Sequence, residues 1–87
     1  MARFNVSISD KAETDLLSIP FPLRRQINQR ILGLAAAPRP DGFMSIGTDG
    51  GAALFIHGYA LLYSIDDEDA LVIVIAILPD TLPPKGS

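Results

Sequence analysis

Apolar and polar positions change period along this chain, and each change marks an element. From Arg3 to Ser9, Phe4, Val6 and Ile8 alternate with Asn5, Ser7 and Ser9, the period-two pattern of a half-buried strand. The period then lengthens. Ala12, Leu16 and Leu17 form one side of a short helix capped by Ser9 or Asp10, with Glu13 three residues past Asp10 as in a capping box. Ile19-Pro20 ends that helix, and Pro22 suits the first turn of a second, where a missing N–H costs nothing. Leu23, Ile27, Ile31 and Leu34 then fall on one helical stripe, with Arg24, Arg25, Asn28 and Gln29 mostly off it. Pro38-Arg39-Pro40-Asp41-Gly42 stops the helix and turns the chain.

The remainder reads as β-structure. Phe43–Ile46 is a short strand, Gly47–Gly51 a glycine-rich turn, and Ala52–His57 the next strand. Gly58 marks a bulge or bend, after which Tyr59–Ile65 continues extended. Asp66-Asp67-Glu68-Asp69 is a turn, Leu71–Leu78 is the last strand, and Pro79 ends it. The pattern predicts an α+β fold of order β-α-α-β-β-β, with a helical hairpin on one face of a mainly antiparallel sheet. Residues 1–79 form a single domain in this reading, and 80–87 an extended, proline-rich tail.

The last strand breaks the expected alternation, because Leu71–Leu78 contains no polar residue. Strict alternation sends Val72, Val74, Ala76 and Leu78 to one side, and Leu71, Ile73, Ile75 and Ile77 to the other. The preceding strand is apolar on both sides too, with Ala60 and Leu62 opposed to Leu61 and Tyr63. Two helices cover only one face of a sheet, so the other face is expected to be an apolar protein interface. Ile73, Ile75, Phe55 and Leu61 are its candidate residues.

Composition sharpens that expectation. The 87 residues are 48% hydrophobic, and the mean hydropathy is +0.30. So short a chain has little interior in which to hide this material. Cysteine is absent, which removes disulfides and thiolate metal sites. MARFNVSISD lacks the apolar segment of a signal peptide, and Leu71–Leu78 is too short to cross a bilayer. A cytoplasmic protein without a membrane role is expected.

The net charge of −3 hides an asymmetry. Through Arg39, six basic residues (Arg3, Lys11, Arg24, Arg25, Arg30, Arg39) stand against three acids, about +3. From Pro40 to Pro84 there is no Lys or Arg against seven acids, so with Lys85 the remainder is about −6. Nucleic-acid affinity comes largely from cations on phosphates, and only the front half supplies them. Arg24, Arg25 and Arg30 are candidates for nucleic-acid or partner binding, or else a solvated helix face. Arg39 joins them, unless it bonds the helix-end carbonyls or pairs with Asp41.

Three stretches together, FNVSISDKAETDLLSIP, INQRILGLAAAPRPDGF and GYALLYSIDDEDALVIVIAI, resemble the RelE/ParE superfamily of toxin–antitoxin toxins. The resemblance runs from about Arg3 to Ile77 and implies a cognate antitoxin as partner. For members that cut messenger RNA on the ribosome, it further implies a basic open sheet face. This sequence departs from that pattern. Ala52 or Ala53 stands where an arginine is usual before the glycine, and Ala60 where one follows GY. Leu78, Pro79 and Asp80 replace the usual histidine–arginine pair, and no tyrosine follows.

RNA cleavage needs a base, an acid and cations near the reacting phosphate. His57, Tyr59 and Tyr63 are the candidate catalytic residues left, His57 as a proton shuttle, with packing as their alternative role. Asp66–Asp69 lacks the twelve-residue loop and flanking helices of an EF-hand, so no metal is expected. Gly47, Gly50 and Gly51 have no phosphate-loop lysine, so no nucleotide or other cofactor is expected. Three functions follow: a toxin component that grips protein without cutting RNA, a ribosome-dependent endoribonuclease with a non-standard site, and a non-toxic interaction or oligomerisation module. The first is preferred, with self-association expected when the chain is alone.

Overall fold

The computed structural model describes residues 3–79; the tail reading of 80–87 lies outside the described residues. The elements are β1 (Asn5–Ile8), α1 (Asp10–Leu17), α2 (Phe21–Gly33), β2 (Met44–Ile46), β3 (Gly51–Ile56), β4 (Tyr59–Asp66) and β5 (Leu71–Pro79). The sheet order is β1-β5-β4-β3-β2. β1 runs parallel to β5, and every other pair is antiparallel. The α+β class and the helices on one sheet face stand as the pattern predicts. The order carries one more strand than expected, because Gly58 is neither bulge nor bend. His57 (φ 51) and Gly58 (φ 84) form a two-residue reversal between β3 and β4. Both left-handed φ values belong to the type I′ hairpin turn, whose hand matches the twist of the strands.

The helices form where the sequence supplies their ends. Ser9 is the N-cap of α1, its Oγ accepting from Ala12 N at 3.1 Å. Pro22 sits in the first turn of α2. Ile27, Ile31 and Leu34 point into the core and are buried, as is Ile19 from the turn between the helices. They meet Ala52, Leu54, Ile56, Leu61, Tyr63, Ile65, Val72, Val74 and Ile77 from the sheet. Val6 and Ile8 pack against the same cluster from β1.

β5 is apolar throughout because it is the inner strand of a parallel and an antiparallel pair, with the helices over one face. Its alternation is broken once. Leu62 pairs with Ala76 and Tyr63 with Val74, leaving Ile75 as an extra residue. This β-bulge places Ile75 and Ala76 together opposite Leu62 and reverses the phase beyond. Ile77 therefore enters the core at 3% exposure, and Leu78 projects to the other side. Strict alternation assigned both the opposite way. Side chains from α1 hold the bulge: Ser9 Oγ donates to the Ile75 carbonyl at 2.8 Å, and Asp15 Oδ2 accepts from Ile77 N at 3.1 Å.

The bulge gives a titratable signature. The bond from Ile77 N, helped by Lys11, holds the Asp15 carboxyl below the usual carboxylate range. Asp15 thus binds its proton less tightly folded than unfolded. Its stabilisation is complete above about pH 4, near the unfolded value, and fades as pH falls through the lowered folded one. Urea titrations between about pH 2 and pH 5 should show a stability loss in the wild type that is shallower in Asp15→Ala. Parallel curves would contradict the bond.

Candidate functional site

Register and alternation define the sheet face away from the helices. At the His57 end, Phe55, Ala60 and Leu78 form a row across β3, β4 and β5. Next come Met44, Ala53 and Leu62, with Ala76 and the bulged Ile75 beyond. The third row is Ile46, Gly51, Ser64, Ile73 and Ser7. Asp66, Leu71 and Asn5 close the far end. Asp66 is the only charged side chain in these rows. Met44, Ile46, Phe55, Ile75 and Leu78 are exposed, Met44 at 54% and Phe55 at 50%. Ala53 and Ala76 are buried yet stand outside the core cluster; they are the floor of this face, hidden by larger neighbours.

The expected interface residues divide. Phe55, Ile73 and Ile75 lie on the open face. Leu61 does not: it is 1% exposed beneath the helices, because it shares β4's inward phase with Tyr59, Tyr63 and Ile65. Met44, Ile46, Leu62 and Leu78 belong to the open face and were not singled out from sequence. Met44 and Ile46 flanking Ser45 carried a period-two signal; Leu78 had none, since its side is set by the bulge.

The candidate catalytic residues are not brought together. His57 is at the exposed tip of the β3–β4 turn, not within a strand. Tyr59 and Tyr63 share a face of β4, but it is the helix-covered one. Tyr63 is 1% exposed, and its hydroxyl donates to the Pro38 carbonyl at 2.8 Å. Burial raises its pKa, which makes it a poor general base.

Four of the five arginines lie on α2 or on the segment that leaves it, and Arg3 is exposed ahead of β1. Arg39 pairs with neither Asp41 nor the helix end. Its Nη1 and Nη2 donate to the Asp67 carboxylate at 3.2 and 2.8 Å, and those bonds lower the Asp67 pKa. Arg24 donates to the Ile19 and Leu17 carbonyls and lies over the Phe21 ring, 5.8 Å from its centroid. Arg25 and Arg30 make no hydrogen bond or ion pair among the described residues. They sit on α2, with the helical layer and core between them and the open face.

A cleft of about 540 Å³ adjoins the Asp66 end of the open face. Asp49, Asp66, Asp67 and Glu68 wall it, with Leu71 and Ile73 on its apolar side. A phosphate there would meet carboxylates, and Arg39, bonded to Asp67 of the cleft wall, is already paired. No group of three or more potential metal ligands occurs among the described residues. No described helix is long and apolar enough to cross a membrane.

No protein-family model and no curated protein matches the sequence. Solved structures do match. The archaeal RelE in the RelE–RelB complex of Pyrococcus horikoshii superposes with a TM-score of 0.84 at 18% identity, over 93% of this chain and 99% of that one. The RelBE2 toxin–antitoxin complex of Mycobacterium tuberculosis gives 0.78 at 21%, over 90% and 99%. The isolated E. coli RelE toxin gives 0.78 at 20%, over 97% and 89%. The fold of this chain is that of the RelE toxins, as the sequence resemblance implied.

These placements separate core from surface in a measurable way. Tyr63→Phe leaves the Pro38 carbonyl without its partner and should cost about 1 kcal/mol. Leu61→Ala empties a core position and should cost about 2–5 kcal/mol. Urea unfolding reads both; a near-neutral Leu61→Ala would contradict its assignment to the core.

Proposed function

We propose that this chain is the cytoplasmic toxin component of a type II toxin–antitoxin pair. Its partner is a cognate antitoxin protein, and it acts by gripping protein rather than by cutting RNA. The fold supports the first part, since RelE toxins share it and were solved with RelB antitoxins. One observation carries the second: the rows of the open sheet face are mainly aliphatic and aromatic and contain no cation.

Physical chemistry explains why that observation decides. RNA cleavage develops negative charge on a phosphorane, and sites that accelerate it hold donors and cations there in advance. Binding the strand itself depends on cations neutralising phosphates. Here Arg39 is paired, Arg24 is bonded to backbone, and Arg25 and Arg30 stand on the helical side. This leaves Arg3 as the one arginine ahead of β1, without a second cation beside it on the open face among the described residues. His57, Tyr59 and Tyr63 converge on no common point. An apolar face offers instead what a protein partner uses, since each aliphatic side chain withdrawn from water contributes roughly 1.5–3 kcal/mol.

Two assays test the reading. Induced expression should arrest growth, and co-expression of the cognate antitoxin should relieve it; a chain harmless in both settings would be the non-toxic interaction module instead. Transcript 5′ ends mapped after induction should show no codon-phased cuts. Cuts that vanish in His57→Ala or Tyr63→Phe would restore the nuclease.

A further inference from the structure

We infer that, without another partner, the open sheet face is covered by the same face of a second copy, giving a face-to-face homodimer. This rests on reading that face as a protein-binding surface and goes further by naming the occupant.

Side-chain size on the face supplies the first argument. Large and small residues alternate across the strands, as on the inner layer of a β-sandwich. Phe55 stands beside Ala60, which stands beside Leu78; Met44, Ala53, Leu62 and Ala76 alternate in the next row. Knobs and holes of this kind interdigitate with a second sheet packed about 10 Å away. A two-fold axis in the contact plane, parallel to the strands and midway between β3 and β4, exchanges β3 with β4 and β2 with β5. That operation sets Phe55 over the second copy's Ala60, Met44 over Ala76 and Leu62 over Ala53. In these two rows the face is complementary to itself, and in the third the axis brings Ile46 to Ile73 and Gly51 to Ser64.

Area sets the strength of the contact. The axis sets β2, β3, β4 and β5 of the two copies against one another and leaves β1 outside. Four strands about 4.8 Å apart, each contributing roughly six residues at about 3.3 Å, give a footprint on the order of 380 Å². Two such faces remove roughly 800 Å² from water, the size of a weak contact that dilution dissociates. Asp66 is the only charge in the rows; the axis brings the two copies' Asp66 to the same end of the contact, where the side chain is exposed rather than buried. The same axis leaves both acidic β4–β5 turns at one end, in solvent, where added salt screens their repulsion. The other exposed apolar residues, Leu17, Phe21 and Leu32, lie on the helical layer and form no comparable sheet.

Light scattering on the full chain, purified alone and diluted from about 300 µM, tests the dimer. The expected mass at high concentration is twice the 9.3 kDa of one chain, with association strengthening as salt is raised. Leu62→Lys and Ile73→Lys should each weaken association at least a hundredfold while keeping the wild-type circular dichroism. Leu17→Lys and Leu32→Lys should not. Should a face variant fail to fold, isotope-filtered NMR on mixed labelled and unlabelled wild-type chains is expected to show contacts between copies from Met44, Phe55 and Leu62. A wild-type monomer throughout, or a dimer broken only by the helix-side variants, overturns the inference. Growth assays separate this from the underlying reading. A monomer whose Leu62→Lys variant loses toxicity or antitoxin relief rejects self-pairing and keeps the protein-binding face; a monomer whose variant changes neither rejects both.

Discussion

A sheet has two faces, and this chain has helices for one. That constraint orders everything else in the structure. α1 and α2 bury Ala12, Ile27, Ile31 and Leu34 against the inward side chains of β3, β4 and β5, and the supply of cover is then spent. An ordinary antiparallel sheet meets the limit by making its second face polar. Here that face keeps Phe55, Met44, Ile46, Leu62 and Ile73, with Asp66 the only charge. The apolar character that stabilises one side therefore leaves the other side apolar and exposed.

Residues that chemistry would require have structural employment instead. The Tyr63 hydroxyl ties the chain leaving α2 to the sheet through Pro38. Arg39 clamps the same segment to the β4–β5 turn through Asp67, a bidentate pair whose geometry suits guanidinium and carboxylate. Ser9 joins the start of α1 to the β5 bulge, and Asp15 binds the backbone just beyond it. These contacts settle where the helices sit on the sheet. They also leave no convergent group of acid, base and cation among the described residues, so the likeness to RelE toxins is one of fold and does not carry a shared reaction.

Much of this was legible in the sequence. Periodicity located both helices and every extended stretch within a few residues, because hydrophobic spacing and end signals are local, but it ran β3 into β4 across Gly58. The Leu71–Leu78 run announced a strand with apolar demands on both faces. What the sequence hid was phase. A bulge at Ile75 depends on pairing with Leu62 and Tyr63 and on Ser9 from far along the chain, so Ile77 and Leu78 exchanged faces without any local sign. Leu61 was misplaced because neighbours on an all-apolar strand carry no mark of which side is covered. His57-Gly58 lacks the usual Asn-Gly of a two-residue turn, and Arg39 found Asp67 through tertiary proximity rather than its neighbour Asp41.

The central claim is that the cation-free sheet face is a surface built to be covered by protein. Methyl NMR with a soluble paramagnetic agent measures that directly. In concentrated wild-type protein, the methyl groups of Met44, Leu62 and Ile73 should be shielded from the agent, while those of Leu17 and Leu32 are relaxed strongly. On dilution, the first group should become accessible with the fold unchanged. Full accessibility of Met44, Leu62 and Ile73 at every concentration, in folded protein, would contradict the account.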